Sequence, residues 1–332
     1  MPKYSVIVPV YNRIDEIKDL LESLSKQSFT DFETIIVEDG SSQPCGDMVN
    51  QFTDKLNVKY FYKENEGRSI ARNYGIERAS GEYLIFFDSD CVIPSDYFSI
   101  LDQALMTSPL DCYGGPDAAD KSFSDVQKAI SFAMTSLLTT GGIRGGKLSM
   151  ELFVPRSFNM GYSRNVYDAV GGFREMFSED IDMSTRIKNA GFSTGLIREA
   201  KVYHKRRIDF AKFWRQVYVF GMSRITLHLL YPGSMKLVHT LPALAVICGL
   251  ILLLLGIFIS PWFLAPFAFY IIALFISATI STRSIKVALL AIPASFIQII
   301  GYGTGFIKAF FTKIIMKRGR NIEEEIAIRK GK

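Results

Sequence analysis

The N-terminal part of the chain alternates short apolar runs with segments whose apolar residues recur at helical spacing. The runs at residues 5–10, 32–37, 58–62 and 83–87 have the length and composition of buried strands. The segments between them predict helices, the first with Ile14, Ile17, Leu20, Leu21 and Leu24 on one face, and the others at about 47–54 and 69–78. Strands that alternate with helices in this way predict an α/β fold with a mostly parallel central sheet.

Acidic residues follow two of these runs. Asp39 stands just after the second run, and Asp88 and Asp90 follow the fourth. Because the carboxyl ends of parallel strands share one edge of the sheet, where such folds bind ligands, these carboxylates are expected to lie together. Hard oxygen ligands suit Mg²⁺ or Mn²⁺, which proteins usually share with substrate phosphates. About one D-x-D is expected by chance, and residues 180–182 hold a second copy, so position carries the argument.

The C-terminal third of the chain is apolar and nearly free of charge. No Asp, Glu, Lys or Arg lies between Lys236 and Arg283, which accounts for much of the 48% hydrophobic content. About 20 apolar residues cross a bilayer, so this stretch predicts two spans, 241–259 and 263–281, separated near Trp262.

A third apolar stretch, residues 287–307, carries helix-weakening residues. Pro293, Gln298 and three glycines favour a broken or re-entrant helix over a straight span. The basic tail would then stay on the cytoplasmic side, as the positive-inside tendency favours. The spacing Gly301-x-Gly303-x-Gly305 has no preceding strand, so helix packing explains it better than nucleotide binding.

The remaining features set the expected organisation of the chain. Residues 209–230 mix aromatic and basic side chains and predict an interfacial helix. The basic residues just before it suit anionic lipid better than nucleic acid, namely Lys201, Lys205, Arg206 and Arg207. The N-terminal apolar run is too short for a signal peptide, and the four cysteines lack metal spacing, so a reduced, cytoplasmic catalytic domain is expected. We expect four regions: 1–208 catalytic, 209–236 interfacial, 237–311 membrane and 312–332 a charged tail.

Seven motifs in order carry a family resemblance. They are Ser5-Val6-Ile7-Val8-Pro9-Val10-Tyr11-Asn12, Val37-Glu38-Asp39-Gly40-Ser41, Asn65-Glu66-Gly67-Arg68 with Ala71-Arg72-Asn73, Asp88-Ser89-Asp90, Gly171-Gly172-Phe173-Arg174-Glu175, Glu179-Asp180 and Val202-Tyr203-His204. Together they resemble glycosyltransferase family 2, whose members have a GT-A fold, here with a C-terminal membrane anchor. Glu38 stands where the family often has a first Asp, a mild change.

The resemblance implies a role for each matching residue. Asp39 would contact the nucleotide base, usually uracil, and Arg72 would lie near the phosphates. Asp90 would touch the metal, with His204 as a further ligand to the metal or the diphosphate, and Asp88 would lie nearer the ribose. Asp180 would be the catalytic base. The matching motifs also place four residues at the substrate or nucleotide site, namely Pro9, Tyr11, Ser89 and Glu179.

Several of these residues also have structural interpretations. Acids favour the first turn of a helix, so Asp180 could be a cap, and we interpret Asp182 in that way. Arg144, in the glycine-rich loop 141–146, suits either a diphosphate contact or a surface loop without function. The Gln-x-x-Arg-Trp signature of processive members is absent, since residues 213–216 hold similar residues in another order. This absence argues against a long-chain synthase.

These observations predict a membrane-anchored, inverting, non-processive glycosyltransferase that uses Mn²⁺ or Mg²⁺. Its donor would be a nucleotide-diphosphate sugar, with UDP favoured, and its acceptor a lipid-linked or cell-surface glycan. Such an enzyme would work in polysaccharide biosynthesis at the cytoplasmic face of the inner cell membrane, as a multi-pass protein that contacts membrane lipids and no nucleic acid. Two alternatives remain open, a polyprenyl-phosphate sugar synthase and a catalytically inactive nucleotide-sugar-binding scaffold.

Overall fold

The computed structural model describes residues 1–118, 123–140, 154–204 and 209–319, without the side chains of Ala118 and His204. The chain forms two compact units, each built from two separate stretches of sequence. Unit 1 contains residues 1–118 and 154–204, and unit 2 contains residues 123–140 and 209–319. The predicted glycine-rich loop with Arg144, the basic residues Lys205, Arg206 and Arg207, and most of the charged tail lie outside the described residues.

The secondary structure follows the predicted alternation. In chain order the elements are β1 (Tyr4–Val10), α1 (Ile14–Leu24), β2 (Phe32–Asp39), α2 (Gly46–Asn50), β3 (Val58–Lys63), α3 (Arg68–Ile76), β4 (Tyr83–Phe87), β5 (Cys91–Val92), α4 (Tyr97–Thr107), β6 (Cys112–Gly114), β7 (Asp117–Ala118), α5 (Asp125–Thr135), α6 (Leu137–Thr140), β8 (Asn159–Ser163), α7 (Arg164–Val170), α8 (Glu179–Asn189), β9 (Thr194–Leu196), β10 (Val202–His204), α9 (Phe210–Leu230), α10 (Leu237–Phe258), α11 (Ala265–Thr282) and α12 (Ile285–Ala309). All four predicted N-terminal strands and the three helices between them are present.

A seven-stranded sheet with the order β3-β2-β1-β4-β8-β6-β9 forms the centre of unit 1. Among its described strands only β8 runs antiparallel to its neighbours, which confirms the prediction of a mostly parallel sheet. Strands β1 to β4 are mutually parallel, so their carboxyl ends, at Val10, Asp39, Lys63 and Phe87, lie along one edge. A second sheet has the order β5-β10-β7.

Apolar side chains cover both faces of the large sheet. On one face α1 and α4 pack on the sheet, with Ile17, Leu20 and Leu101 fully buried. On the other face α3 and α8 do the same, through Ala71, Ile76 and Met183 among others. These two layers are what an α/β fold needs to bury its central strands. Ile14, predicted on the buried face of α1, is exposed at the first position of that helix.

Glu33, near the start of β2, connects the strands at the sheet edge opposite to their carboxyl ends. Its carboxylate accepts hydrogen bonds from the Ser5 hydroxyl, from the Ser80 amide and hydroxyl, each at 2.7 Å, and from Lys59 at 2.7 Å. Burial by itself raises the pKa of Glu33, but these hydrogen bonds outweigh it and lower the pKa to about 2. This residue therefore stabilises the sheet as a carboxylate anion.

Unit 2 contains three helical stretches that are long and apolar enough to cross a membrane. They are Leu237–Phe258, Pro261–Thr282 and Ile285–Ile315, where the first two correspond to the predicted spans. The third corrects the prediction of a broken or re-entrant helix at 287–307. Helix α12 runs unbroken through Pro293 and continues as a π-helix from Phe310 to Ile315. Side-chain packing on the neighbouring helices keeps it helical despite the proline.

Glycines allow the helices of unit 2 to pack closely, as the Gly301-x-Gly303-x-Gly305 spacing predicts. A Cβ atom on Gly305 would collide with the carbonyl oxygen of Tyr218 in α9, and one on Gly303 would lie 2.6 Å from that of Pro242 in α10. On α9, a Cβ atom on Gly221 would likewise collide with the carbonyl oxygen of Tyr302. Small residues at such crossings let helix backbones approach where lipid offers no hydrophobic driving force.

Candidate active site

Asp39 ends β2 and organises the loop that follows β3. Its carboxylate accepts hydrogen bonds from the amides of Glu66 at 3.0 Å and Gly67 at 2.9 Å, and from Lys63 at 3.0 Å. Its carbonyl oxygen accepts from Asn65 at 2.8 Å. The predicted base-binding residue is thus nearly buried and already holds the Asn65-Glu66-Gly67 motif in place.

Glu38, the departure from the family pattern, has a clear structural role. It is fully buried and accepts hydrogen bonds from the Ser41 hydroxyl and from the Cys45 amide at 2.8 Å. The Ser41 hydroxyl also accepts from the amide of Asn12 at 2.7 Å, which ties the loop after β1 to the loop after β2. The two loops that flank the predicted nucleotide site are therefore joined.

Pro9 and Tyr11 lie at the same edge of the sheet. Pro9 is the next-to-last residue of β1 and pairs in register with Val37 of β2. Tyr11 follows the strand and is largely exposed, so its ring is available to a ligand. Both residues therefore lie at the carboxyl end of β1, and their role at a nucleotide site stays a prediction.

The Asp88-Ser89-Asp90 turn leads from β4 directly into β5. Asp88 and Asp90 are half-buried, and Ser89 is nearly buried. In the small sheet His204 pairs in register with Cys91, the residue after Asp90. Strand pairing therefore brings the backbone of His204 next to the D-x-D turn, although its side chain lies outside the described atoms.

A buried network of hydrogen bonds lies beside the end of β4, just before this turn. The Tyr97 hydroxyl donates to Asn159 at 2.6 Å, and Asn159 donates to the carbonyl oxygen of Ala200 at 2.7 Å. Asn159 pairs in register with Phe87, the last residue before the turn. Because buried polar groups with satisfied hydrogen bonds rigidify their surroundings, this network fixes the exit of β4.

Arg72 joins the D-x-D turn to the start of α8. Its guanidinium donates to Asp88 at 2.7 Å and to Glu179 at 2.9 Å, and it lies over the ring of Phe173 at 5.4 Å. Its side chain is only 1% exposed. The residue expected near the phosphates is thus held between two carboxylates, and it fixes the positions of both.

Glu179 and Asp180 differ in how far their carboxylates are engaged. Both oxygens of Glu179 contact arginine, since Arg68 reaches it through Nε at 2.7 Å and Nη2 at 2.8 Å in addition to the contact from Arg72. Asp180 accepts from the amide of Ile181 at 2.8 Å and from Arg156 at 3.2 Å, and it remains partly exposed. Of the two acids, Asp180 is therefore the more exposed and the less engaged by arginine.

Charge keeps Asp180 ionised. Burial by itself raises its pKa, but the guanidinium groups of Arg156 and Arg68 and the amide of Ile181 outweigh that effect, so the pKa lies below its usual value. Glu179, beside it in the chain, contacts Arg68 and Arg72. At neutral pH Asp180 is therefore a carboxylate that can accept a proton.

Asp182 is a structural residue, as the sequence predicts. It is fully buried and contacts Arg174 at 3.2 Å and Arg186 at 2.9 Å. Arg186 also donates to the carbonyl oxygens of Val170 and Gly172, so the start of α8 is joined to the Gly171-Gly172-Phe173 motif.

Asn73 holds the same motif from the other side. Its side chain donates to the carbonyl oxygen of Phe173 and accepts from the amide of Phe173, each at 2.8 Å. A Cβ atom on Gly172 would collide with the Asn73 side chain, which explains the glycine. Two of the seven motifs therefore meet as one structural unit.

The donor atoms around the D-x-D turn suit a hard divalent ion. Within the described side chains no group of three His, Cys, Asp or Glu residues is arranged as a metal site. Mg²⁺ needs only one or two protein carboxylates when substrate phosphates complete its shell, and Asp90 can supply one. The residues present therefore fit a metal shared with a diphosphate better than a metal held by protein alone.

Three basic residues of the site were missed in the sequence. Lys63, Arg68 and Arg156 contact Asp39, Glu179 and Asp180 respectively. Lys63 at the predicted end of β3 could have been noticed, because it shares the sheet edge with Asp39. Arg68 stands inside a quoted motif, whereas no local pattern marks Arg156.

Comparison with known proteins decides the family. The chain matches the profile of Glycosyl transferase family 2 over residues 5–171, about half of its 332 residues. The chain belongs to this family. The site residues up to Gly171 lie inside the match, and those from Gly172 onward, including Asp180 and His204, lie beyond it.

Individual relatives match only parts of their own length. The chain is 26% identical over 218 residues to glycosyltransferase GlyA of Streptococcus pneumoniae serotype 4, which covers 65% of this chain and 27% of that protein. It is 42% identical over 88 residues to an uncharacterized glycosyltransferase of Rickettsia bellii, covering 26% of this chain and 13% of that protein. Against eight such relatives, the matched segment spans 13% to 39% of the relative.

A solved structure shares the fold over nearly the whole chain. It is a mannosyltransferase from Pyrobaculum calidifontis in complex with GDP-Man and Mn²⁺. The similarity covers 94% of this chain and 88% of that one, with a TM-score of 0.59 and 16% identity. At this identity the likeness establishes the fold alone, which is the GT-A fold expected from the motifs.

Proposed function

We propose that this protein is a membrane-anchored, inverting, non-processive glycosyltransferase that uses a UDP-linked sugar. Its acceptor would be a lipid-linked or cell-surface glycan at the cytoplasmic face of the inner membrane. The observation that carries the proposal is the buried Arg72, which joins Asp88 of the D-x-D turn to Glu179 beside Asp180. This bridge holds a donor site and a candidate base in one active site, as group transfer requires.

The hydrogen bonds already made by Asp39 favour uracil as the base. A carboxylate has about four acceptor positions. Lys63 and Glu66 use two on Oδ1, and Gly67 uses one on Oδ2. One position remains, which suits the single ring N–H of uracil, whereas guanine offers two adjacent donors that need both oxygens. UDP is therefore expected to bind more tightly than GDP.

The D-x-D turn would hold the donor diphosphate through a metal ion. Asp90 would be the principal ligand, with His204 as a further one, and Asp88 would orient the ribose side. A bound Mn²⁺ or Mg²⁺ supplies positive charge that neutralises the leaving diphosphate. Arg72 keeps Asp88 in place for this interaction.

Asp180 would accept the proton of the acceptor hydroxyl. It is ionised and partly exposed, and Arg156 fixes one of its oxygens. A base that activates the acceptor for direct attack on the sugar carbon, opposite the leaving diphosphate, gives inversion at that carbon. Glu179 would orient the start of α8 rather than take a proton, since both its oxygens contact arginine.

The apolar helices of unit 2 support the membrane part of the proposal. Three stretches have the length and composition of spans. Anchoring an enzyme in the membrane that holds its acceptor raises the effective concentration of that acceptor. A lipid-linked acceptor therefore fits this chain better than a soluble sugar.

The second candidate is a polyprenyl-phosphate sugar synthase. Its acceptor is a phosphate that is already ionised and needs little base catalysis. The Asp180–Arg156 pair could then bind near the lipid phosphate through Arg156, a role that its partly exposed guanidinium permits. A catalytically inactive scaffold is the third candidate, and the retained D-x-D and Asp180 argue against it.

A donor screen tests the proposal. The purified full-length protein is given sugars linked to uridine, guanosine or cytidine diphosphate, with Mn²⁺ or Mg²⁺, and nucleotide release is measured with and without a membrane lipid extract. Release of UDP that depends on the extract is expected. Equal release with pure polyprenyl phosphate as sole acceptor would favour the synthase, and binding without any release would favour the scaffold.

A further inference from the structure

Residues 123–140 connect β7 to β8 of the large unit 1, yet they fold as part of unit 2. They form α5 and α6, which pack on α11 and α12. Their placement among helices that are candidates to span a membrane raises the question of their own environment.

Three contacts place this segment along α11. At its start Asp125 forms an ion pair with Lys286, at the beginning of α12, at 2.7 Å. In its middle Ala129 and Phe132 pack in one apolar cluster with α11 and α12 residues, including Leu274, Ala278, Val287, Ala288 and Ala291. Near its end the hydroxyl of Tyr270 donates to the carbonyl oxygen of Leu138 at 3.0 Å.

These contacts advance along α11 from its end to its middle. Tyr270 precedes Thr282, the last residue of α11, by twelve positions. At a rise of 1.5 Å per residue this is about 18 Å of helix, against a hydrocarbon core of about 30 Å. If α11 spans the membrane, α5 and α6 extend beside it over about half the thickness of the core.

The composition of the segment suits that depth. From Ala129 to Thr140, the last described residue of the segment, the sequence has no charged side chain, and a run of this length is too short to cross the bilayer but long enough to enter it. Leu137 is 74% exposed and Leu138 is 39% exposed, on a segment that already packs against candidate spans. Exposing two neighbouring leucine side chains to water is unfavourable, and contact with lipid removes that cost.

The threonine hydroxyls of the segment are paired within it. The hydroxyls of Thr135, Thr139 and Thr140 donate to the carbonyl oxygens of Ser131, Ala133 and Ser136, at 2.8, 2.6 and 3.1 Å. Backbone and hydroxyl groups must be paired in this way where no water can reach them.

We propose that residues 125–140 form an element that enters the membrane beside α11 and whose Leu137 and Leu138 contact lipid acyl chains. The element rests on the membrane anchoring in the proposed function, and it deepens that proposal by tying the β7–β8 connection of the catalytic unit to the bilayer. Lipid is the occupant because Leu137 and Leu138 are exposed on a segment that packs on α11 and α12, two candidate membrane spans.

Spin labels at matched positions test the proposal. The background is full-length protein with Cys248→Ser, since the other three native cysteines are buried. In this background one cysteine at a time replaces Leu137, Ile272 or Met106. Ile272, 54% exposed on α11, is the membrane reference, and Met106, 67% exposed on α4, is an exposed apolar residue of unit 1. In vesicles of phosphatidylethanolamine and phosphatidylglycerol, accessibility to oxygen is compared with accessibility to a water-soluble nickel complex.

The expected ratio of oxygen to nickel accessibility at Leu137→Cys equals or exceeds that at Ile272→Cys and is far above that at Met106→Cys. A water-like ratio at 137 with a lipid-like ratio at 272 would overturn the membrane-inserted element and leave the anchoring intact. Water-like ratios at both would overturn the anchoring as well. Dipolar coupling between labels at 137 of two molecules would assign the surface to a second copy of the chain. Leu138→Cys gives an independent reading if the first variant folds poorly.

Discussion

Arg72 is the residue whose loss should disturb unit 1 most. Its side chain is buried between Asp88 and Glu179, at 2.7 and 2.9 Å, and Arg72→Ala removes both contacts. Glu179 would keep its charge in a site where its own side chain is 2% exposed. An uncompensated buried charge is among the most destabilising outcomes of a single substitution.

The geometry sets the size of the effect. Removing one partner of a buried ion pair costs about 3–5 kcal/mol. Arg68 still reaches Glu179 with two nitrogens, and Asp88 is partly exposed and can be solvated, so the lower end, about 3 kcal/mol, is expected. For a unit of this size each kcal/mol lowers the melting temperature by about 2–4 °C, which gives a decrease of about 6–12 °C.

Thermal unfolding of the full-length protein in detergent measures this. Arg68→Ala is the matched control, because Arg68 contacts the same carboxylate but is 57% exposed, and it should cost well under half as much. Arg72→Lys should recover part of the loss, since it keeps the charge but cannot contact two carboxylates with a planar fork. The reasoning is refuted if Arg72→Ala has the same melting temperature as the wild type, or if Arg68→Ala lowers the melting temperature as much as Arg72→Ala does.

Three further predictions concern the metal, pH and helix packing. Asp90→Ala should abolish the Mn²⁺-dependent part of UDP binding in isothermal titration; unchanged metal-dependent affinity would mean that the ion is held elsewhere. Glu33→Gln should lower the melting temperature at neutral pH, and because the pKa of Glu33 is lowered from 4.5 to about 2, the wild-type advantage should vanish as the pH falls through that window. A persistent difference at pH 2 would contradict this. Gly221→Ala should destabilise unit 2 because its Cβ would collide with the Tyr302 carbonyl oxygen, whereas Gly249→Ala, with no atom nearer than 3.7 Å, should not.

The strands and helices of unit 1 were predictable because burial follows a period in the sequence. The predicted second strand stopped at Val37 because Glu38 and Asp39 are charged. In the structure β2 includes both, since backbone amides and Lys63 satisfy their carboxylates. Hydrophobic patterning does not detect a buried acid that the fold itself neutralises.

The site was predictable in its motifs but not in its connections. The ion pair between Arg72 and Glu179 joins residues 107 positions apart, and no local spacing in the sequence predicts it. Arg156 lies in a segment without regular pattern and becomes part of the site only because the turn before β8 brings it to α8. Such contacts depend on the folded topology, not on neighbouring sequence.

For helix α12 the prediction was wrong because it rested on local residues alone. Pro293 and three glycines weaken an isolated helix, which is why a break was predicted. In the structure the glycines permit close packing on α9 and α10, and that packing stabilises the helix through the proline. The same residues that lower helix propensity therefore enable the tertiary contacts that preserve it.

The rate of sugar transfer by Asp180→Asn tests the central claim most directly. Asn keeps the size of Asp180 and can accept from Arg156, but it cannot take a proton from the acceptor. In single turnovers with saturating donor, transfer should fall by about 10²-fold or more, the usual contribution of a general base, while UDP affinity stays unchanged. Transfer at near wild-type rate with unchanged binding would show that Asp180 caps α8 and that the chemistry proceeds without it.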